Sequence, residues 1–275
     1  MLKQIRGRTS GVTLLELLVV LMILSIVLTA AVRTWDVTLE RGRAQTTAMK
    51  LSTLVKAIEG DPDYIVTGQR ADFGFVGDMG RMPDSLVELA VAPPNSPLWR
   101  GPYLRSTFSE SPNAYEIDGW GDTIIYGYQA YGKDSLFLRS HGGRGFVDPT
   151  RWQTDNLIYS YGALMENNIS GQIIDEHGSS LSPSSPYIGN LKVIVYRPVL
   201  GKMDSSYIAV GPSASSFTFT GIAQGTVRLV AMYVSAGTPS VTVMTTRDVP
   251  VYPGIGMQGI NMRLGLDWND LPSVP

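Results

Sequence analysis

Three basic side chains, one glycine and one acid open this chain in an order that could do chemistry. Lys3, Arg6 and Arg8 lie in an arm without acids, Gly11 ends the arm, and Glu16 is the sole ionisable residue of the apolar run 11–32, GVTLLELLVVLMILSIVLTAAV. A carboxylate inside such a run costs about 2.5–3.5 kcal/mol on insertion scales, so it calls for a cationic partner. The other arrangements that could carry chemistry fail on context. Gly254-Ile255-Gly256-Met257-Gln258-Gly259 fits GxGxxG but falls among expected strands, with no helix to follow it and receive a pyrophosphate. Residues 127–133 approach a phosphate-binding loop and then present Asp134 where Ser or Thr would hold magnesium. The two histidines, His141 and His177, sit beside glycines in expected loops without a nucleophile motif nearby. The expectation is therefore a non-enzymatic protein.

The element that must position Glu16 is the apolar run itself. Residues 12–32 make about 32 Å of helix, enough to cross a hydrocarbon core about 30 Å thick. The basic arm is expected to stay cytoplasmic while the segment beyond the helix is translocated. A cleaved secretory signal fits poorly, because no small-x-small site follows a short apolar core. Beyond the run the helix is expected to continue. Ala44, Ala48, Leu51, Val55 and Ile58 recur at alternating steps of four and three, and Gly60-Asp61-Pro62 supplies the stop. Gly42 is a weak point inside it, and two helices hinged there are the alternative.

A basic leader ending in Gly11, then an apolar residue, Thr13-Leu14 and Glu16 as the fifth residue after the glycine, resembles the leader of type IV prepilins and type II secretion pseudopilins. The resemblance implies that a prepilin peptidase cuts between Gly11 and Val12 and methylates the new N-terminus. It also implies that Glu16 serves assembly by pairing with the Val12 amine of a neighbouring subunit. Val12 replaces the commoner phenylalanine and keeps its apolar character. The implied partners are prepilin peptidase, other pilin-like subunits and the inner-membrane assembly platform; exported substrate proteins are the partners expected of the C-terminal module, which has to project from a filament packed through its helices.

Composition agrees with an exported subunit. The 275 residues include no cysteine, which excludes disulfides and thiolate metal sites. Residues 1–11 hold three of the 22 basic side chains and none of the 24 acidic ones, leaving 19 against 24 in the remainder. An acidic balance without a basic stripe excludes nucleic acid as a partner.

Residues 60–160 read as a head laid on the amphipathic half of the helix. The glycine-rich 73–80 reads as loop, Ser85-Leu86-Val87-Glu88 as a capping box opening a short helix, and 123–128 and 135–139 as strands. The series GPYL, DGWGD, a tyrosine strand and LRSHGG resembles the major-pseudopilin head. Some relatives in that group hold calcium near the last head strand. The residues here that could serve are Asp118, Asp122, Asp148 and Asp155, with turn formation and solvated surface as the competing reading.

From about residue 165 the pattern changes to seven short apolar or alternating runs at 169–174, 191–196, 207–210, 216–220, 227–234, 241–246 and 260–264. Seven strands without a helical period predict a β-sandwich over 165–275, long enough to close its own core. The runs SGQIID, LKVIVYR and FTFTGIAQGTVRLVAMY resemble carboxypeptidase-regulatory-like and immunoglobulin-like modules. The fold class expected is α+β: a cleaved leader 1–11, a long helix 12–59, a small antiparallel head and an all-β sandwich. The functional expectation is a type II secretion pseudopilin in the inner membrane with its bulk in the periplasm. A minor type IV pilus subunit, a membrane-anchored periplasmic binding protein that does not polymerise and a membrane-tethered hydrolase are the alternatives.

Overall fold

The computed structural model describes residues 13–104, 113–127, 137–143, 154–157, 159–182, 184–185, 187–209, 215–235 and 241–271. Gly11, Val12 and Asp148 lie outside the described residues. One helix, α1 (Leu14–Glu59), runs for 46 residues without a break at Gly42, about 69 Å at 1.5 Å per residue. Thr13 caps it and Gly60, at φ +85°, ends it. Residues 14–39 are exposed around the whole helix, and burial sets in on one face only at Thr47, Leu51, Leu54, Ala57 and Ile58. That face is turned slightly from the Ala48 and Val55 expected by spacing. The reason is polar: Thr47 Oγ1 accepts the Gly119 N–H at 2.9 Å, so a hydroxyl, not an alanine methyl, meets the head.

The head wraps this upper half. A small hairpin, β1 (Ile65–Val66) with β2 (Gln69–Arg70), is followed by α2 (Gly74–Met79). Strands β3 (Ile125–Gly127), β4 (Phe137–Ser140) and β5 (Thr154–Leu157) form an antiparallel meander. The segment read as a glycine-rich loop is thus helical. Phe75, Val76 and Met79 are fully buried, and their burial outweighs the low helix propensity of the glycines among them. The expected capping box does not form. Leu86–Leu89 is a 3-10 turn in which Ser85 makes no side-chain cap, while Glu88 accepts two bonds from Arg81, at 2.8 and 3.0 Å, and one from the Asp84 N–H. Leu51, Leu54 and Ile58 of α1 join Phe75, Met79, Leu89, Leu138 and Leu164 in one core.

After α3 (Tyr161–Met165) the described elements are seven strands and two short 3-10 turns. The strands are β6 (Asn167–Ile174), β7 (Leu191–Val199), β8 (Lys202–Ala209), β9 (Ser216–Ile222), β10 (Gly225–Val234), β11 (Thr242–Val251) and β12 (Met257–Arg263). One sheet has the order β11-β10-β7-β8 and the other β12-β6-β9. All pairs are antiparallel except β12 with β6, which runs parallel. Alternation does the sorting. Val227, Leu229, Ala231 and Tyr233 of β10 face inward and meet Phe217, Phe219, Ile173 and Ile260 from the other sheet in a second core.

Candidate functional site

The residues that could act on a partner begin at the foot of α1. Thr13 has an extended backbone and its Oγ1 accepts the Glu16 N–H at 3.3 Å, which satisfies one of the helix's four unpaired donors. Glu16 therefore sits in the first helical turn, where the positive end of the helix dipole favours a carboxylate by about 0.3–1 kcal/mol. That is less than the insertion cost of the charge, so the local geometry leaves Glu16 short of a cation. Among the described residues α1 is the one helix long and apolar enough to cross a membrane.

Above the bare segment, the DGWGD loop fastens α1 to the head. Trp120 Nε1 donates to Glu40 Oε2 at 2.9 Å, and Lys50 Nζ donates to the Ala114 and Ile117 carbonyls at 3.0 and 2.7 Å. A Cβ at Gly119 would stand 2.4 Å from the Arg43 carbonyl oxygen, so only glycine lets the loop lie against the helix. Asp118, 4% exposed, holds the loop in shape. Its Oδ1 accepts the Trp120 and Asp122 N–H groups at 2.8 and 2.9 Å, and its Oδ2 accepts the Ser140 hydroxyl at 2.6 Å. Of the calcium candidates, then, Asp118 spends both oxygens on protein donors. Asp122 is exposed and contributes its carbonyl to the Asp118 N–H. Asp155 lies in β5 opposite Arg139.

At the other end of α1 the sheet pair is seated on the head by backbone groups and glycines. The Glu59 carbonyl accepts from Arg70 Nη2 at 2.5 Å and from Gln224 Nε2 at 2.8 Å. Gln224 lies just before β10 and is 1% exposed; it also donates through Nε2 to the Phe73 carbonyl at 3.2 Å and through its N–H to the Leu164 carbonyl at 2.7 Å. Burial pushes the Glu59 carboxyl above its usual range, against the pull of the Arg70 guanidinium. Gly201, in the turn between β7 and β8, donates to the Met79 carbonyl at 2.8 Å. Gly80 caps α2 at φ +60°, and a Cβ there would lie 2.0 Å from the Pro198 carbonyl oxygen. Sequence reasoning missed Gln224 and this seat. The signal available was the GIAQGT turn, a glutamine flanked by small residues, which looks like any hairpin loop.

Beside the seat is a cleft of about 620 Å³. Asp72, Asp78 and Arg100 line it from the head, and Tyr196, Met203 and Arg228 from the sheet. Asp78 accepts the Tyr103 hydroxyl at 2.9 Å, and burial holds its carboxyl above the usual range. Arg228 makes a two-pronged pair with Asp248 at 2.8 and 3.2 Å. The cleft opens onto the outer face of the four-stranded sheet, where Met203, Tyr207 and Met244 are exposed.

Comparison with known proteins bears first on the foot of α1. Residues 6–32 match the family description Prokaryotic N-terminal methylation motif. The type II secretion system core protein G of Xanthomonas campestris pv. campestris is 28% identical over 121 residues, which is 44% of this chain and 70% of that protein. No solved structure matches. A methylation motif laid over the foot of α1, an apolar helix long enough to cross a membrane, a small antiparallel head on its upper half and similarity to a core protein G make the chain similar to pilin-like proteins of the pseudopilin type, with a C-terminal β-sandwich in addition.

Proposed function

We propose that the chain is a structural subunit of a type II secretion filament. Prepilin peptidase removes residues 1–11, the product waits in the inner membrane with its bulk in the periplasm, and it then joins other pilin-like subunits through α1. The C-terminal sheets serve as a contact surface for an exported protein, and no catalytic role is assigned to any residue. The observation that carries this reading is the division of α1: residues 14–39 have no cover within the protomer, while the upper half is packed by the head. About 39 Å of bare helix is more than one bilayer crossing requires. The apolar surface also persists past the first charges. Leu28, Val32, Trp35, Leu39 and Met49 are all exposed and follow steps of four and three through Gly42 and Thr46, on the side of the helix away from the head. The cleft beside α2 and the exposed Met203, Tyr207 and Met244 on the outer face of the four-stranded sheet support the contact role of the C-terminal sheets.

Gly42 tests this reading. A Cβ there would meet nothing within 4 Å in the protomer, so the glycine has no packing role inside one chain, although it weakens the helix by about 1 kcal/mol relative to alanine. If a neighbouring helix approaches at this notch, Gly42→Leu should leave the isolated subunit as stable as wild type or slightly more so, and should stop it entering filaments. The chain contains no cysteine, so single cysteines placed at Trp35 or Met49 report neighbours by disulfide cross-linking in membranes. Cross-linked ladders that Gly42→Leu abolishes support the reading. Gly42→Leu subunits that cross-link and assemble like wild type contradict it, as does a lack of cross-links in cells that carry the assembly machinery.

A further inference from the structure

The turn after β6 carries a cluster that neither the helix nor the head explains. The Asp175 residue is 2% exposed, and its Oδ1 accepts the N–H groups of His177 and Ser179 at 3.0 and 2.7 Å. Its Oδ2 has no hydrogen-bond partner among the described residues. The residue is buried while this oxygen is left without a protein donor, so it is available to a positive group at the mouth of the turn. The segment after β12 brings a second carboxylate to the same place. The Leu264 N–H donates to the Ile174 carbonyl at 2.9 Å, the Glu176 N–H to the Leu266 carbonyl at 3.1 Å, and Trp268 Nε1 to the Ser179 carbonyl at 2.7 Å. These bonds hold Asp267 beside the turn. One oxygen from each aspartate and one ring nitrogen of His177 lie within 4.8 Å of one another.

The spacing favours a shared cation over a direct contact. His177 Nδ1 and Asp267 Oδ2 are 3.6 Å apart, too long for a hydrogen bond. Two ligands each about 2.0 Å from a tetrahedral ion stand about 3.3 Å apart. Asp267 Oδ1 is occupied by the Asn269 N–H and Nδ2 at 2.9 Å each, which turns Oδ2 toward the histidine. We propose that Asp175, His177 and Asp267 form a site for a divalent transition cation of the zinc type. Water completes the coordination on the exposed side of His177, and the ion ties the C-terminal segment to the end of β6. An imidazole in the set points away from calcium, which takes oxygen ligands.

The test uses full-length protein in detergent, stripped with a chelator and titrated with zinc chloride by calorimetry, with thermal unfolding read in parallel. The chain has no cysteine and only one other histidine, so competing sites are few. The variants are His177→Ala and Asp267→Asn; Asp175 is left intact because its carboxylate shapes the turn. The wild type should bind one zinc per chain and unfold at higher temperature with zinc than without. Each variant should lose at least about tenfold in affinity, together with the thermal shift. His141→Ala should keep both, and calcium chloride should not raise the unfolding temperature. Absence of zinc binding by the wild type overturns the site. So does binding that survives in both His177→Ala and Asp267→Asn, or binding lost in His141→Ala.

Discussion

Glu16→Leu subunits are expected to be cleaved and inserted as wild type and to be missing from filaments. The carboxylate stands in an apolar run where its charge costs about 2.5–3.5 kcal/mol on insertion scales, and its place in the first helical turn returns only about 0.3–1 kcal/mol of that. An amine at about 4 Å attracts it by roughly 4 kcal/mol at an effective dielectric of 20, a gross gain that desolvation reduces. A net 2–3 kcal/mol for each neighbour is about a 30- to 150-fold bias in a subunit's preference for the filament, and the bias recurs at every addition. The local and intersubunit roles separate by substitution. Thr13→Ala removes the hydroxyl that accepts the Glu16 N–H and should cost about 1 kcal/mol of helix while still assembling. Glu16→Gln keeps the shape, loses the charge and should fail like Glu16→Leu. Filament fractions collected from cells and probed for the subunit decide it. Normal incorporation of Glu16→Leu in place of wild type removes the pairing role.

Gly80→Ala should lower the stability of the subunit by about 2–5 kcal/mol and loosen the sheet pair from the head. Two effects add. A left-handed backbone at φ +60° costs an alanine about 1–2 kcal/mol. The new methyl would also lie 2.0 Å from the Pro198 carbonyl oxygen, a backbone atom that moves only if the β7 end moves with it. That displacement strains the bond from the Gly201 N–H to the Met79 carbonyl. Gly68→Ala is the matched control, because Gly68 has φ +80° but open space where the Cβ would go. The difference between the two variants isolates the contact from the backbone strain. Denaturant unfolding should show Gly68→Ala losing about 1–2 kcal/mol and Gly80→Ala losing clearly more, and limited proteolysis should open the turn at Leu200 and Gly201 in the latter alone. Equal losses would mean that the head and the sheets do not depend on this seat.

Elements whose formation depends on periodicity along the chain were legible in advance. The helix through Gly42, its stop at Gly60 and all seven C-terminal strands follow from apolar spacing and from glycine and proline punctuation. Features that depend on what a segment meets in space were not. Residues 74–79 look like a loop because three of the residues over 74–80 are glycines, yet Gly77 and Gly80 let α2 lie close to Gly225 and Pro198 of the sheets, and Gly74 lies against the C-terminal end of α1. The Ser85-to-Glu88 pattern fits a capping box, but Arg81 competes for the Glu88 carboxylate with a bidentate pair and wins. At the junction of leader and helix, Gly11 and Glu16 stand out by order and charge, while the roles expected of Gly11, Val12 and Glu16 come from the resemblance. The DGWGD loop stands out in the sequence for its resemblance and its acids, whereas its fastening of α1 rests on contacts across the fold, Trp120 on Glu40 and Gly119 on Thr47. The Asp175, His177 and Asp267 cluster was hidden because its third member comes from the far end of the chain, delivered by a strand that pairs in parallel with β6.

The central claim is that this is a processed pilin-like subunit, and the most direct measurement is the intact mass of the protein extracted from membranes of cells with an active prepilin peptidase. The account predicts a chain that has lost residues 1–11 and begins at Val12 with one added methyl group, and a Gly11→Val variant that keeps its full length because the added side chain obstructs the bond to be cut. Wild-type protein recovered with Met1 to Gly11 still attached under those conditions would contradict it.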